Sequence, residues 1–281
     1  MADMTIKRGG VEIATETFGH PSDPALLLIM GAMASMLWWP EEFCEQLAEQ
    51  GHFVIRYDNR DTGLSTSYPL GKPGYTLSDM AEDAVAVLDE YGIKSAGIVG
   101  MSLGGSIAQR VALSHPGRVR TLTIISSSPL GIDGLPNFTE DYSAHAATAE
   151  TLDWNDRANV VDFMVRDVRM IAGTAHPHDA GAALQVIERD MDRARSFANA
   201  TNHFLVEGGD GEKRLAAADL RVPLLVIHGT ADPIFPVVHG EALANAVRGA
   251  KLERIDGGGH ELHRNDWQQI IGAIAAHAGA R

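Results

Sequence analysis

Ala96-Gly97-Ile98-Val99-Gly100-Met101-Ser102-Leu103-Gly104-Gly105 is the stretch whose reading decides how this chain folds. Residues 96–99 form a short apolar run of the kind buried on both faces of a sheet. Residues 103–113 carry apolar side chains at helical spacing until His115-Pro116-Gly117 stops them. Ser102 therefore stands on a sharp strand-to-helix turn, where its backbone is strained and side chains two positions away would collide with neighbouring backbone; Gly100 and Gly104 remove those side chains. Because a helix starts just after it, unpaired N–H groups and the positive end of the helix dipole favour negative charge developing on an oxygen beside Ser102. Ser102 is the candidate nucleophile. The bare G-x-S-x-G spacing is a weak signal in a chain with 29 glycines; the strand before it and the helix after it give it weight.

The same alternation extends outward in both directions. Towards the N-terminus, residues 25–30 read as a strand, 37–50 as a helix, Phe53–Tyr57 as a strand, and 77–91 as a helix with Ser78 and Asp79 as capping candidates and Gly92 closing it. Towards the C-terminus, Val119–Ile125 is a strand, after which Ser126-Ser127-Ser128 opens a long stretch of helical spacing and scattered charge without a convincing strand. From Pro223 the alternation returns: strand 224–228, helix 241–247, strand Lys251–Ile255, helix 267–276. Such βα units feed a mostly parallel sheet flanked by helices. The expected division is an α/β core of residues 1–127 and 221–281 interrupted by a helical insertion, 128–220, with no internal repeat.

A serine nucleophile needs a base to take its proton and a carboxylate to fix the tautomer of that base. Both lie just beyond later strand ends. Strand 224–228 runs into Gly229-Thr230-Ala231-Asp232-Pro233, and Lys251–Ile255 runs into Asp256-Gly257-Gly258-Gly259-His260. Parallel strands put these loops on the sheet edge that carries Ser102, so Asp232 and His260 are the candidate acid and base. Ser126-Ser127-Ser128 holds no rival carboxylate, and Asp256 reads as a residue of the glycine turn. Among the 12 histidines, His228 falls inside a strand and His263 and His277 on the last helical stretch, where packing or surface roles are expected; His145, His176, His178 and His203 lie in the insertion and read as surface residues. His176-x-His178 is too little for a metal site.

Composition narrows the function classes. With 281 residues, 45% hydrophobic, the chain can bury a full core. A formal charge of −14 without a Lys/Arg cluster excludes a nucleic-acid partner. The lone cysteine, Cys44, requires no oxidising compartment and reads as a buried helix residue. Met1 to Gly10 lacks the apolar stretch of a secretory signal, and the longest uncharged apolar run, residues 25–39, falls short of a bilayer span, so a cytoplasmic protein with no membrane segment is expected. A small-molecule substrate is the expected partner; composition leaves a homodimer open.

Taken together, Met30-Gly31-Ala32-Met33, Tyr57-Asp58-Asn59-Arg60-Asp61-Thr62-Gly63-Leu64-Ser65, the Ser102 turn and the Asp232 turn resemble the α/β-hydrolase family, and within it the aclacinomycin methylesterases and related carboxylesterases. The resemblance implies an α/β-hydrolase fold with a helical cap over the active site, a serine esterase reaction through an acyl-enzyme without cofactor or metal, and oxyanion donors at the backbone N–H groups of Ala32 and Leu103. Many relatives carry His-Gly where this chain has Met30-Gly31, and Arg-Gly where it has Arg60-Asp61. Ser102 speaks against dehalogenases and epoxide hydrolases, which place Asp there. The same three residues also serve lactone hydrolysis, C–C bond hydrolysis or perhydrolysis, and a ligand-binding protein on such a scaffold is the reading from a different class. In the insertion, Phe138, Trp154, Phe163, Met164, Met170, Met191, Phe197 and Phe204 are weighed as pocket lining against ordinary core.

Overall fold

Leu26 and Leu28 pack with one helical layer and Leu27 and Ile29 with the other, because successive side chains of a strand face opposite ways and this strand is covered on both sides. The computed structural model describes residues 4–209 and 215–279. In chain order it contains β1 (Met4–Arg8), β2 (Val11–Phe18), β3 (Ala25–Ile29), α1 (Glu41–Glu49), β4 (Phe53–Tyr57), α2 (Leu77–Glu90), β5 (Ala96–Met101), α3 (Leu103–Ser114), β6 (Val119–Ile125), α4 (Glu140–Ala147), α5 (Arg157–Ile171), α6 (Ala180–Arg193), β7 (Leu224–Gly229), α7 (Val238–Ala246), β8 (Lys251–Ile255) and α8 (Trp267–Ala278). The strands make one eight-stranded sheet in the order β1-β2-β4-β3-β5-β6-β7-β8. Pairing is parallel from β4 through β8 and antiparallel at β1–β2 and β2–β4. Side chains of α2, α3 and α7 fill one face, those of α1 and α8 the other.

Local chemistry explains where element boundaries depart from expectation. The helix expected over 37–50 is two pieces, a 3-10 turn Met36–Trp38 and then α1, since Pro40 lacks an N–H and confines Trp39 to extended backbone at φ −90°, ψ 96°. Helix α2 is capped by Thr76 rather than Ser78: the Thr76 hydroxyl accepts the Asp79 N–H while the Asp79 carboxylate accepts the Thr76 N–H at 2.8 Å, a closed capping box. Helix α7 starts at Val238, ahead of the expected 241. The antiparallel β1–β2 hairpin was not expected from the sequence. Its turn is Gly9-Gly10 with φ +58° and +84°, the pair of positive angles that a tight two-residue hairpin loop demands.

Between β6 and β7 the chain runs through α4, α5 and α6 and a 3-10 stretch, Ala198–Leu205, with no strand among the described residues. Val160, Phe163, Met164, Val168, Ala183 and Ile187 make a small core of their own where α5 meets α6, and Met33 and Trp38 pack against it from the sheet side. Phe163 and Met164 are thus core residues, Trp154, Met191 and Phe197 pack around them, and Phe138 and Phe204 are 44% and 69% exposed. No helix among the described residues is long and apolar enough to cross a membrane.

Candidate active site

Ser102 links β5 to α3 with φ +54° and ψ −120°, a left-handed conformation that costs a non-glycine residue about 1–3 kcal/mol. The surrounding backbone holds it there. The Ser102 N–H donates to the Ile125 carbonyl at 3.0 Å, and the Ser102 carbonyl accepts from the Gly105 N–H at 2.9 Å and the Ser127 hydroxyl at 2.7 Å. A Cβ at Gly100 would overlap the Gly104 carbonyl, and one at Gly104 the Ile29 carbonyl, so the turn closes only with glycine at both positions. Leu103 opens α3, where first-turn N–H groups lack helical partners.

Asp232 and His260 come together from the ends of β7 and β8. The Nδ1 nitrogen of His260 lies 2.8 Å from Asp232 Oδ2, and the other carboxylate oxygen accepts the N–H groups of Ile234 and Phe235, each at 2.9 Å. Both side chains are buried. Burial alone would raise the Asp232 pKa, but the charge and hydrogen bond of His260, then His228 and the Phe235 N–H, outweigh it and hold the carboxyl below the ordinary range. An acceptor-only carboxylate fixes the proton of His260 on Nδ1, leaving Nε2 as the basic nitrogen. The glycines before His260 serve close approach: a Cβ at Gly259 would run into the Ile171 carbonyl and the Gly173 N–H, while the His260 N–H donates to that Ile171 carbonyl at 2.8 Å. The last turn of α5 therefore braces the segment that carries His260. Asp256 does not close the glycine turn alone; Thr230 bridges it, its hydroxyl accepting the Gly257 N–H at 2.7 Å and donating to Asp256 at 3.4 Å.

The loop after β3 approaches Ser102 from the other side. A Cβ on Gly31 would stand 3.1 Å from that of Ser102, so this loop lies directly against the serine, at a distance a side chain on residue 31 would crowd. Asn59 donates to the Met30 carbonyl at 3.0 Å. The N–H of Met33, itself at φ +61°, donates to Nδ1 of His203 at 3.1 Å, and His203 Nε2 donates to the Arg60 carbonyl at 2.7 Å. His203 is buried rather than a surface residue, and burial depresses its pKa, which keeps the neutral form that one acceptor and one donor nitrogen require. Ala32 sits between Gly31 and Met33 and inherits its position from these contacts. Sequence reading missed His203 because its partners are more than 100 positions away, and Asn59 because no local pattern marks a side chain that holds a carbonyl 29 positions back.

A second acid–base group lies on the helical stretch. Tyr142 donates to Asp167 Oδ1 at 3.3 Å, and His145 Nε2 lies 3.2 Å from the same oxygen with its ring stacked on Phe163 at 4.8 Å. His145 is therefore largely buried and not the surface residue expected. Asp167 stands one helical turn before Ile171, and burial pushes its pKa up against the opposing pull of His145, Tyr142 and His260. The Thr139 N–H donates to the Pro233 carbonyl at 2.9 Å, tying α4 to the Asp232 loop. His228 lies behind Asp232, its Nε2 donating to the Phe235 carbonyl at 2.7 Å.

Comparison with known proteins agrees with this architecture. A family model described as the α/β hydrolase fold matches residues 24–265. Over its full length the chain is similar to rhodomycin D methylesterase DnrP of Streptomyces peucetius, at 32% identity across 99% of that protein. Rhodomycin D methylesterase DauP of Streptomyces sp. (strain C5) is similar to the same extent, at 31% identity across 99% of its length. The solved structure of an esterase, RhEst1 from Rhodococcus sp. ECU1013, aligns with a TM-score of 0.79 at 20% identity, covering 99% of this chain and 100% of that one, a likeness of fold alone.

Proposed function

The chain belongs to the α/β-hydrolase fold family, and from that premise we propose that it hydrolyses uncharged carboxylic esters with Ser102 as nucleophile, His260 as general base and Asp232 as its orienting acid. The observation that carries the reading is the 2.8 Å contact between Asp232 Oδ2 and His260 Nδ1, which leaves Nε2 unprotonated on the sheet edge where β5 delivers Ser102. Ser102 Oγ attacks the ester carbonyl as its proton passes to His260 Nε2, and the imidazolium is steadied by Asp232, which keeps its negative charge. Backbone N–H groups of Ala32 and Leu103 receive the oxyanion, the first on the loop pressed against Ser102, the second at the head of α3. The alcohol leaves with the proton from His260, and a water molecule, deprotonated by the same nitrogen, releases the acid and restores the serine.

Residues 128–220 act in this reading as the cap that shapes the substrate pocket. Full-length similarity to methylesterases makes a methyl ester with a bulky acyl part the class to assay first. Ser102→Ala is expected to lower kcat for p-nitrophenyl acetate by about 10⁴-fold or more, leaving only what oxyanion binding supplies, and to end labelling by a fluorophosphonate. Near-normal turnover by that variant, folded by circular dichroism, would remove the assignment.

A further inference from the structure

Away from Ser102, two imidazoles and a carboxylate from separate parts of the chain converge on one spot. His176 lies between α5 and α6; His263 and Asp266 lie between β8 and α8, just beyond His260. His176 Nε2 is 2.7 Å from Asp266 Oδ1, the rings of His176 and His263 stack at 4.5 Å and 19°, and one donor atom from each of the three residues lies within 4.8 Å of the others. We propose that His176, His263 and Asp266 form a binding site for a zinc-type divalent cation that clamps the segment after α5 to the segment that carries His260.

The donor set suits the ion. Two imidazole nitrogens and one carboxylate oxygen match the borderline character of zinc, and a water or anion completes four-coordination. Ligand bonds of about 2.0–2.2 Å put tetrahedral donors about 3.3–3.6 Å apart, a spacing that these three, already within 4.8 Å of one another, reach once the stacked imidazoles turn so that their in-plane lone pairs converge. On binding, His176 exchanges its bond to Asp266 for the metal as its proton shifts from Nε2 to Nδ1, and His263 gives up its stack on His176 and the long 3.2 Å bond that its Nδ1 accepts from the Asn265 N–H. Asn265 supplies the outer contact. Its carboxamide lies 3.4 Å from His176 Nδ1, and a half-turn of the amide presents oxygen to the Nδ1–H that metal ligation creates.

Backbone contacts assemble the site in advance. The N–H groups of Thr174 and Ala175 donate to the Gly257 carbonyl at 2.7 and 3.1 Å, and the Gly173 N–H donates to Glu261 at 2.8 Å, so the strand of chain bearing His176 is already fastened beside the loop bearing His263. All three donor residues are half-buried, open enough for an ion to arrive and fixed enough to hold it.

Isothermal titration of chelator-stripped, full-length protein with zinc chloride tests the proposal, with thermal melting in parallel. Saturable binding of one equivalent is expected, with a rise in melting temperature. Affinity should fall by about tenfold or more in His176→Ala and in His263→Ala, and also in Asp266→Asn. His176→Gln and His263→Gln keep side-chain volume and replace the alanine variants should these melt early in the absence of zinc. Absence of saturable binding by the folded protein, or affinity unchanged in folded His176 and His263 variants, overturns the site.

Discussion

The sheet edge at the ends of β5, β7 and β8 and the helical stretch between β6 and β7 hold their acids in opposite ways. At the sheet edge, Asp232 is buried but accepts two backbone N–H groups and faces His260, and its carboxyl is held below the ordinary range. Where the helical stretch meets the sheet, Asp190 accepts from Trp38 Nε1 at 2.8 Å and from the Ser35 N–H at 3.3 Å, with no basic side chain among these partners; burial wins, and its carboxyl is pushed up. Asp58, met by Arg193 of α6 at 2.6 Å, is also raised, its burial outweighing the arginine. The sheet edge is thus organised to keep a charge, while the junction with the helical stretch tolerates charge at a cost. The difference teaches where function and where adjustability reside: strand ends fix groups by backbone geometry, whereas the helical stretch, with its own small core, attaches through polar side chains that solvent and pH can loosen.

Asp232→Asn strikes hardest at the contrast. Asparagine keeps the shape but no longer dictates the His260 tautomer, so kcat for ester hydrolysis is expected to fall by about 10³- to 10⁴-fold with the fold retained, measured by steady-state kinetics and circular dichroism. A loss of less than tenfold would mean that another carboxylate orients the imidazole.

His203→Ala comes next, and it tests whether the helical stretch reaches into the chemistry through the Met33 loop. Removing the acceptor of the Met33 N–H should let Ala32 drift from Ser102 and lower kcat by about 10- to 100-fold, short of the full loss of an oxyanion donor, with a smaller change in KM. A raised KM with kcat unchanged would assign His203 to substrate binding instead.

Asp190→Asn is expected to have the smallest effect, and it carries a sign. A carboxyl whose pKa is raised on folding stabilises the native state below the ordinary carboxylate range and loses that contribution as pH rises through the raised value. Asparagine still accepts from Trp38 without a charge to bury. The variant should therefore melt close to wild type at acid pH and at or above it at pH 8, by roughly 1 kcal/mol, followed by thermal melts across pH. Asp232 has the opposite sign: its stabilisation is present above the ordinary range and fades as pH falls through the lowered value.

Much of this architecture could be read from the chain alone, and the exceptions share a cause. Strands β3, β5 and β7 run where the apolar runs lie, since a strand buried on both faces needs a nearly unbroken apolar sequence. Pro40 was equally visible, yet the apolar periodicity on both sides of it masked the break that the proline imposes. Gly9-Gly10 signals a hairpin, but the strand before it, β1, is short and mostly exposed, so its pattern is faint. His145, His176 and His203 read as surface residues because no local pattern distinguishes a histidine bound for a distant partner from one bound for water.

What the sequence by itself determined is the order of strand and helix, the strained serine turn with its two glycines, and the loops that present Asp232 and His260. Each follows from local rules: hydrophobic period, the steric needs of a tight turn, and the one edge to which parallel strands send their C-terminal ends. Only the tertiary structure decided that His203 braces the Met33 loop, that α5 holds the His260 backbone, that Tyr142 and His145 gather on Asp167, and that His176 meets His263 and Asp266. Those pairings form across dozens to more than a hundred residues, and their energy exists only once burial has stripped water from both partners, a condition that no local stretch of sequence encodes.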